Sequence, residues 1–317
     1  GVDALDKCVL RALFQNEGLT PVNPRARTSS AAIARKLGVS EGTVRNRIVR
    51  FHETGFVKEV RLIANPNLVG LAEACLLFDV PRETRSEVIE RIQLLENVVI
   101  LAVFHGSLLS PIFRYRGEAA LARQVELFRR LAKVERITVG RIPFPECNLR
   151  LSESDWAVMR ALHRDPRRAC ASVARDVRLS TRTVKRKLER LFREGAALTF
   201  PAFDPAKLDG GVMGALIVEY PPEMKGDVDR TVAARFGEHI FNVLHMLPYR
   251  KGDLAPCGYN CIVPNISKGT EMLDEVNGLP GVRNARFEVF DEVQIRFVPF
   301  EEDLLRGDDL PPPATSL

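Results

Sequence analysis

Apolar residues recur at helical spacing in two similar segments of the chain. Residues 39–57 and residues 179–197 resemble each other and lie about 140 positions apart, which indicates an internal repeat. Positions i, i+4 and i+7 are apolar in both copies, and this spacing places them on one side of an α-helix. These positions are Val44, Ile48 and Phe51 in the first copy and Val184, Leu188 and Leu191 in the second. The pattern predicts two amphipathic helices that each bury one face.

The opposite faces of these helices are polar and mainly basic. Ser40 and Ser180 stand where an N-cap hydroxyl would begin each helix, and Gly55 and Gly195 stand where a left-handed residue would follow its end. The polar positions are Arg45, Asn46 and Arg50 (with Val49) in the first copy and Arg182, Lys185, Arg186, Glu189 and Arg190 in the second.

Each repeated helix is preceded by two further amphipathic segments, at 3–14 and 29–38 in the first copy and at 152–163 and 170–178 in the second. Together they predict a three-helix unit whose last two helices form a helix-turn-helix. Extended runs at 56–64 and 197–203 follow, and each is interpreted as a wing hairpin. In such a unit the third helix is the one that enters a groove of DNA.

Positive charge is concentrated in the repeated regions. Residues 1–65 contain 11 basic and 6 acidic side chains, and residues 150–200 contain 13 and 6, although the whole chain carries only +5. An isolated basic strip is usually a solvated helix face. Because two copies each carry such a strip on a similar three-helix unit, the pattern favours a phosphate-binding surface.

A βαββαβ pattern follows each helical unit, at about 73–144 and 213–298. This order predicts a ferredoxin-like domain, in which two helices cover one face of an antiparallel sheet. The strands carry large apolar residues on both faces, so a second sheet or another subunit should cover the open face. The fold class is therefore α+β, with two winged helix-turn-helix domains alternating with two ferredoxin-like βαββαβ domains.

The combined pattern resembles the Lrp/AsnC (leucine-responsive, feast/famine) family of transcription regulators, in tandem form. The resemblance is carried by LDKCVLRAL, AAIARKLGVSEGTVRNRIVRF and NPNLVGL in the first half and by SESDWAVMRAL, ASVARDVRLSTRTVKRKLERL and DPAKLDG in the second. It implies helix-turn-helix domains at 1–65 and 149–204, ferredoxin-like effector domains at 66–148 and 205–300, and a disordered tail at 301–317. Family members usually pair two chains, so this chain would be a covalent pseudo-dimer.

The resemblance implies double-stranded DNA as the partner, with higher oligomers possible through the sheets. Because the two repeated helices differ in sequence, we expect an asymmetric operator with unlike half-sites. Asn46 and Arg45 suit base edges, whereas the second helix suits phosphates. Replacing Arg186 and Arg190 by Ala should flatten the salt dependence of binding. The predicted DNA-contacting residues are Ser40, Thr43, Arg45, Asn46, Arg47, Arg50, Lys58, Arg61, Ser180, Arg182, Thr183, Lys185, Arg186, Lys187 and Arg190.

The family often binds an amino acid or a related small molecule through a turn near the third strand. The counterpart here is CGYNCIV, which makes Tyr259 and Asn260 candidate effector contacts, with a strand packed into an oligomer interface as the alternative. The first half has PIFRYRG there and departs from the family pattern. We expect no cofactor.

An enzyme is the main alternative. The five histidines show no metal-ligand spacing, and no nucleophile or phosphate-loop motif occurs, so the sequence predicts a protein that is not an enzyme and holds no metal. Siroheme decarboxylases share the architecture, and His239, Asn242 and Tyr259-Asn260 loosely resemble their motifs. A non-catalytic interaction scaffold is the third possibility.

The remaining expectations concern the oxidation state of the cysteines, the cellular location of the protein and one mobile loop. The six cysteines are expected to be reduced, since Cys257 and Cys261 are too far apart along a strand to form a disulfide. Without a signal peptide or a long apolar run, the protein is expected in the cytoplasm, away from membranes. The insertion at 16–28 is expected to be a mobile loop from which Arg25 and Arg27 could reach phosphates.

Overall fold

A computed structural model describes residues 1–14 and 29–296 of the 317-residue chain. The chain begins with three helices, α1 (Ala4–Leu13), α2 (Ser30–Leu37) and α3 (Glu41–Glu53), followed by strand β1 (Val57–Ala64). These helices form the first predicted helix-turn-helix unit. A short 3₁₀ turn at Pro66–Val69 leads out of β1.

The first ferredoxin-like unit has the predicted βαββαβ order. It consists of β2 (Ala72–Asp79), α4 (Arg85–Gln93), β3 (Val98–Phe104), β4 (Leu108–Tyr115), α5 (Glu118–Ala132) and β5 (Thr138–Ile142). The helix α5 buries a stripe at i, i+4, i+7 and i+11 because Leu121, Val125, Phe128 and Ala132 face the sheet.

The second half repeats the layout. Its helix-turn-helix consists of α6 (Glu153–Leu162), α7 (Cys170–Asp176) and α8 (Thr181–Arg193), followed by β6 (Ala197–Phe203). Its ferredoxin-like unit consists of β7 (Val212–Tyr220), α9 (Lys225–Phe236), β8 (Ile240–His245), β9 (Leu247–Pro248), β10 (Ala255–Val263), α10 (Ile266–Asn277) and β11 (Asn284–Ile295).

The strands of the two ferredoxin-like units join into one nine-stranded sheet, in the order β8-β10-β7-β11-β3-β4-β2-β5-β9. The long strand β11 makes the main connection, because its first half pairs with β7 and its second half pairs with β3. On the other side, β5 pairs through its main chain with the short strand β9, where Gly140 lies opposite Pro248. The two connections between the units are therefore unequal.

The strands of each ferredoxin-like unit are called its sheet below, and the open faces of these two parts of the nine-stranded sheet cover each other, as the sequence pattern predicts. Cys75, Val99 and Ile112 of the first unit pack with Met246 and Leu244 of the second. A larger cluster continues this core to the first helix-turn-helix. The second sheet predicted to cover the open face is thus supplied by the same chain.

The prediction of two wing hairpins is wrong. The extended run after each helix-turn-helix is a single strand, and β1 and β6 pair with each other in an antiparallel ribbon, with Leu62 opposite Thr199. Each run leaves its main-chain groups open along one edge, and the equivalent run of the other half satisfies them. The ribbon therefore ties the two halves together and makes no projecting wing.

Each first helix also contacts the other half of the chain. The guanidinium group of Arg11 on α1 donates to the carbonyl oxygens of Gly237 and Ile240, each at 2.6 Å, at the start of β8. In the second half, the main-chain N–H of Leu62 donates to the carbonyl oxygen of His163 at the end of α6, 3.0 Å away. The helix α1 packs on the second sheet and α6 packs on β1, so the two halves are not interchangeable.

Some predictions lie outside the described residues, namely the mobile loop at 16–28 with Arg25 and Arg27, and the disordered tail at 301–317. Within 1–14 and 29–296, no helix combines the length and the apolar character that a membrane span requires.

Candidate nucleic-acid interface

The helices α3 and α8, called the reading helices below, begin with the same hydroxyl arrangement. The Oγ atom of Ser40 accepts from the main-chain N–H of Thr43 at 3.0 Å, and that of Ser180 accepts from Thr183 at 3.1 Å. In each helix the two hydroxyl oxygens are also 2.8 Å apart. Each serine side chain satisfies one otherwise unpaired N–H group of the first turn. Ser40 and Ser180 therefore act as helix caps, and Thr43 and Thr183 lie against them.

Each reading helix buries its apolar stripe as predicted and exposes the opposite side. The predicted apolar residues of both stripes are all 5% exposed or less. The exposed side chains opposite the apolar stripe of each reading helix form what we call the exposed polar faces. These are Arg45, Asn46, Val49 and Arg50 on α3 and Arg182, Lys185, Arg186 and Glu189 on α8.

On α8, two of the predicted DNA contacts are held by a buried carboxylate of the same domain. The Nζ atom of Lys187 lies 2.8 Å from one carboxylate oxygen of Asp155 on α6, and a guanidinium nitrogen of Arg190 lies 2.7 Å from the other. Burial of Asp155 opposes ionisation, but hydrogen bonds from Lys187 and Ser152 outweigh it and lower the pKa of this carboxyl to about 2. Asp155 therefore holds the reading helix against the first helix of its domain.

The first domain repeats this contact. Asp6 on α1 is fully buried and accepts from Arg47 at 2.6 Å, while Arg50 lies 2.5 Å away. Arg47 also binds Asp3 at 2.8 Å. Burial disfavours the charged form of Arg47, yet the two carboxylates raise its pKa above the ordinary value. We call the pairs centred on Asp6 and Asp155 the carboxylate clamps.

The clamps give four of the predicted DNA contacts a partner inside their own domain. Arg47 and Lys187 have little exposed surface. Arg50 and Arg190 are more exposed, but each also binds the buried carboxylate of its own domain. The sequence contains a signal for the clamps, because an aspartate stands at the third position of α1 and of α6 and closes a capping box there. Arg190, predicted from the sequence with Arg186 as a phosphate contact, thus also binds Asp155.

The two exposed polar faces differ in how many of their cationic side chains form ion pairs within the described part of the chain. Arg182, Lys185 and Arg186 on α8 are exposed, and within the described part of the chain they form no ion pair. On α3, Arg45 pairs with Glu41 one turn earlier at 2.5 Å, and its neighbour Asn46 is exposed without a charge. The second reading helix therefore offers more positive charge, and the first offers an amide beside a partly neutralised guanidinium.

The turn before each reading helix uses one left-handed residue. Gly38 has φ +67° and Arg178, its equivalent, has φ +54°. After the helices, Gly55 and Gly195 adopt φ values of +77° and +71°, as the sequence predicted. Glycine adopts this conformation without steric cost, whereas Arg178 carries a Cβ there. The second helix-turn-helix therefore holds a strained turn that the first lacks.

The two predicted wing contacts do not form a phosphate-binding wing. Arg61 is mostly buried, pairs with Glu59 at 2.8 Å, and lies 3.1 Å from the ring Nε2 of His163 in the other half. Lys58 is half exposed and lies 3.6 Å from Asp204. Arg61 thus belongs to the contact between the halves because β1 is part of the ribbon. Only Lys58 remains accessible to a ligand.

The predicted effector residues Tyr259 and Asn260 lie on opposite faces of β10. Tyr259 is fully buried under α9, where its hydroxyl donates to Asp229. Asn260 points to the other face and lines a cavity of about 130 Å³ between the two sheets. Because successive residues of a strand alternate between faces, the two side chains cannot contact one ligand together. Of the two candidate effector contacts, only Asn260 faces a cavity.

A second cavity, of about 180 Å³, lies beside the first, near the weak β5–β9 connection. Its wall includes Asn242 and a buried ion pair in which Arg114 donates to Glu73 at 3.0 Å. Burial raises the pKa of Glu73, although Arg114 opposes this shift. His239 and Tyr259 lie on neither wall, whereas Asn242 and Asn260 both line the cavity of about 130 Å³, so only part of the set that loosely resembles a decarboxylase motif comes together.

Comparison with known proteins gives matches to DNA-binding regulators. Residues 2–52 match the AsnC-type helix-turn-helix domain. A 76-residue segment is 37% identical to the HTH-type transcriptional regulator Ptr1 of Methanocaldococcus jannaschii, and this covers 24% of the chain but only 45% of that protein. A 138-residue segment is 32% identical to an uncharacterised HTH-type transcriptional regulator of Pyrococcus furiosus, covering 43% of the chain and 86% of that protein.

Among solved structures, the siroheme decarboxylase NirDL has a similar fold over nearly its whole length. The TM-score is 0.57, with 18% sequence identity, and the alignment covers 95% of this chain and 96% of that one. At this identity the likeness establishes the architecture alone. It shows that two helix-turn-helix units and two ferredoxin-like units occur together in another single chain.

Proposed function

Since the chain belongs to the AsnC-type helix-turn-helix family of transcriptional regulators, we propose that it is a sequence-specific DNA-binding regulator whose two reading helices bind one duplex. The observation that carries the proposal is the pair of exposed polar faces on α3 and α8. Each lies opposite a buried apolar stripe, and each reading helix is fixed in its domain by a carboxylate clamp. A rigid helix with an exposed cationic side is what major-groove binding requires.

We further propose that one chain acts as a pseudo-dimer. The ribbon β1–β6 and the shared nine-stranded sheet join the halves in the way that an interface would join two chains. Because Arg186 on α8 stands where α3 has Asn46, and Lys185 where α3 has Arg45, the two half-sites should differ in sequence. Asn46 suits an adenine edge, and the cations of α8 suit phosphates.

The clamps refine which side chains contact DNA. Lys185 and Arg186 are exposed and unclamped, so they should bind phosphates directly. Each phosphate contact contributes about 0.9 to the slope of log affinity against log salt concentration. Replacing both residues by Ala should therefore reduce that slope by up to about 1.8 for any duplex.

The test is fluorescence anisotropy with duplexes of random sequence over a range of salt concentrations. The matched control replaces Arg123 and Arg130, two exposed arginines on α5, by Ala and should leave the slope unchanged. An equal loss of slope in both double variants would mean that binding follows net charge and is not localised at α8. No measurable affinity of the unmodified protein for DNA at low salt would contradict the proposed function.

A small-molecule effector remains part of the proposal, with Asn260 as a contact and without Tyr259. Asn260 and its cross-strand partner Asn242 line the same cavity between the sheets. Thermal shift across the amino acids tests this idea. A shift that survives replacement of Asn260 by Ala would place the effector elsewhere, and no shift with any amino acid would remove it.

The alternative is an enzyme that uses the same fold for a siroheme-like substrate. The likeness to NirDL over the whole chain and the presence of cavities between the sheets favour it. Against it, the cavities of about 180 and 130 Å³ are smaller than the roughly 300–1,000 Å³ of ordinary ligand pockets. A spectral titration with an iron tetrapyrrole should show no change in the Soret band. A saturable change would favour the enzyme.

A further inference from the structure

Three side chains of metal-binding type meet inside the second ferredoxin-like unit. They are Asp229 on α9, His245 at the end of β8 and Cys257 in β10, and one donor atom of each lies within 4.8 Å of the other two. The ring Nδ1 of His245 is 3.6 Å from the Sγ of Cys257 and 3.8 Å from Oδ2 of Asp229. His245 and Cys257 face each other directly across β8 and β10, so the fold fixes their separation.

We propose that Asp229, His245 and Cys257 form a binding site for a divalent transition-metal ion of the Zn²⁺ class. A tetrahedral zinc ion with bond lengths of about 2.3 Å to sulfur and about 2.0–2.1 Å to nitrogen holds those two donors roughly 3.6 Å apart. The observed sulfur–nitrogen separation already has this value. The nitrogen–oxygen separation would need to shorten by about half an ångström, which a rotation of the Asp229 side chain can supply.

The donor set also selects among ions. A thiolate and an imidazole are ligands for zinc and similar ions, and they are poor ligands for Mg²⁺ and Ca²⁺, which prefer oxygen. The separation of 3.8 Å between His245 and Asp229 is an ion-pair distance and too long for a hydrogen bond, so a metal ion bound between them would replace a weak contact.

The surroundings support the ligands in different ways. The hydroxyl of Tyr259 donates to Oδ1 of Asp229, the oxygen that does not face His245, and so orients the carboxylate from behind. His245 and Cys257 are nearly or fully buried, and Asp229 is 15% exposed, so Asp229 is the ligand that solvent reaches. Lys225, one turn earlier, binds Oδ2 of Asp229 at 2.6 Å and is 38% exposed. An incoming cation must therefore displace the ammonium group of Lys225 from Asp229.

The test uses the full chain, reduced and freed of metal with a chelator, and Co²⁺ as a spectroscopic probe. One equivalent should bind with a thiolate-to-cobalt charge-transfer band, and Zn²⁺ should displace it. Replacing Cys257 or His245 by Ala should abolish the band. The matched control is Cys261→Ala, because Cys261 lies on the same face of β10 and is equally buried.

A gain of affinity separates metal binding from a failure to fold. Lys225→Ala removes the competing ammonium group, so Co²⁺ should bind about fivefold more tightly than to the unmodified chain. An unchanged or weaker affinity in this variant would contradict the arrangement. A charge-transfer band that persists in Cys257→Ala, or no band at all in the unmodified folded protein, would overturn the proposal.

Discussion

Replacing Asp155 by Asn should weaken the second helix-turn-helix by about 2 kcal/mol at neutral pH. A carboxyl group whose pKa lies at about 2 in the folded chain, against 3.8 ordinarily, adds about that much stability when ionised. Loss of charge-assisted hydrogen bonds predicts a similar figure of about 1.5–3 kcal/mol. The larger penalty of about 3–5 kcal/mol for breaking a buried ion pair does not apply, because Lys187 and Arg190 can turn to water.

Asparagine isolates the effect of charge. Its side-chain oxygen can still accept from the main-chain N–H of Ser152, which Asp155 binds at 2.9 Å, so the capping box is kept. The single tryptophan, Trp156, is the next residue and is buried, so its fluorescence reports on unfolding of this domain. Urea denaturation at pH 7 measures the difference in free energy of unfolding. The control, Asp176→Asn, removes an exposed partner of Arg168 and should cost less than about 1 kcal/mol.

The pH dependence gives a second test of the same clamp. Since the folded pKa of Asp155 is depressed, its contribution is fully present above pH 4 or so and is lost as the pH falls through about 2. The difference between the unmodified protein and Asp155→Asn should therefore shrink as the solution is acidified. A variant within about 0.5 kcal/mol of the unmodified protein at pH 7, or a difference that does not change with pH, would refute this account of the clamp.

Three further predictions concern strain, packing and thiol reactivity. Arg178→Gly should stabilise the second helix-turn-helix by about 1 kcal/mol, because residue 178 has a positive φ. Gly38→Arg should destabilise the first helix-turn-helix by a similar amount for the same reason. Urea midpoints equal to that of the unmodified protein would contradict this. Gly269→Ala should cost about 1–3 kcal/mol, since a Cβ there would lie 2.2 Å from a ring carbon of Phe287, whereas Gly258→Ala meets nothing closer than 3.9 Å; thermal denaturation compares the two. Burial raises the pKa of three thiols to about 11 or 12. At pH 8 a thiol reagent should therefore label one group of cysteines of the native protein slowly and another group fast. Equal labelling rates for the two groups would contradict the burial of these three thiols. The slow group is Cys75, Cys257 and Cys261, and the fast group is Cys8, Cys147 and Cys170.

The sequence predicted local structure well because the causes of that structure are local. The apolar stripe of α3 and α8, the caps at Ser40 and Ser180 and the left-handed Gly55 each depend on residues within one or two turns. The βαββαβ order could likewise be predicted from alternating strand and helix patterns. The open sheet face even indicated that a second sheet was needed.

Contacts between the halves could not be predicted in this way. The pairing of β1 with β6 joins segments about 140 residues apart, and an extended run has the same local pattern in a hairpin as in a ribbon. For the same reason Arg61 was interpreted as a wing residue. The carboxylate clamp was closer to being predictable, because Asp6 and Asp155 occupy equivalent positions in the repeat. The cluster of Asp229, His245 and Cys257 brings together one helix and two strands, and its spacing in sequence matches no metal motif.

We propose that both reading helices of a single chain engage the same duplex. Selection of bound sequences from a random DNA pool, followed by footprinting and measurement of stoichiometry by analytical ultracentrifugation, tests it most directly. We expect one chain per duplex and two protected half-sites of different sequence, with the half-site read by α3 losing its preference in Asn46→Ala. A strictly palindromic site that needs two chains, or a single protected half-site, would contradict it.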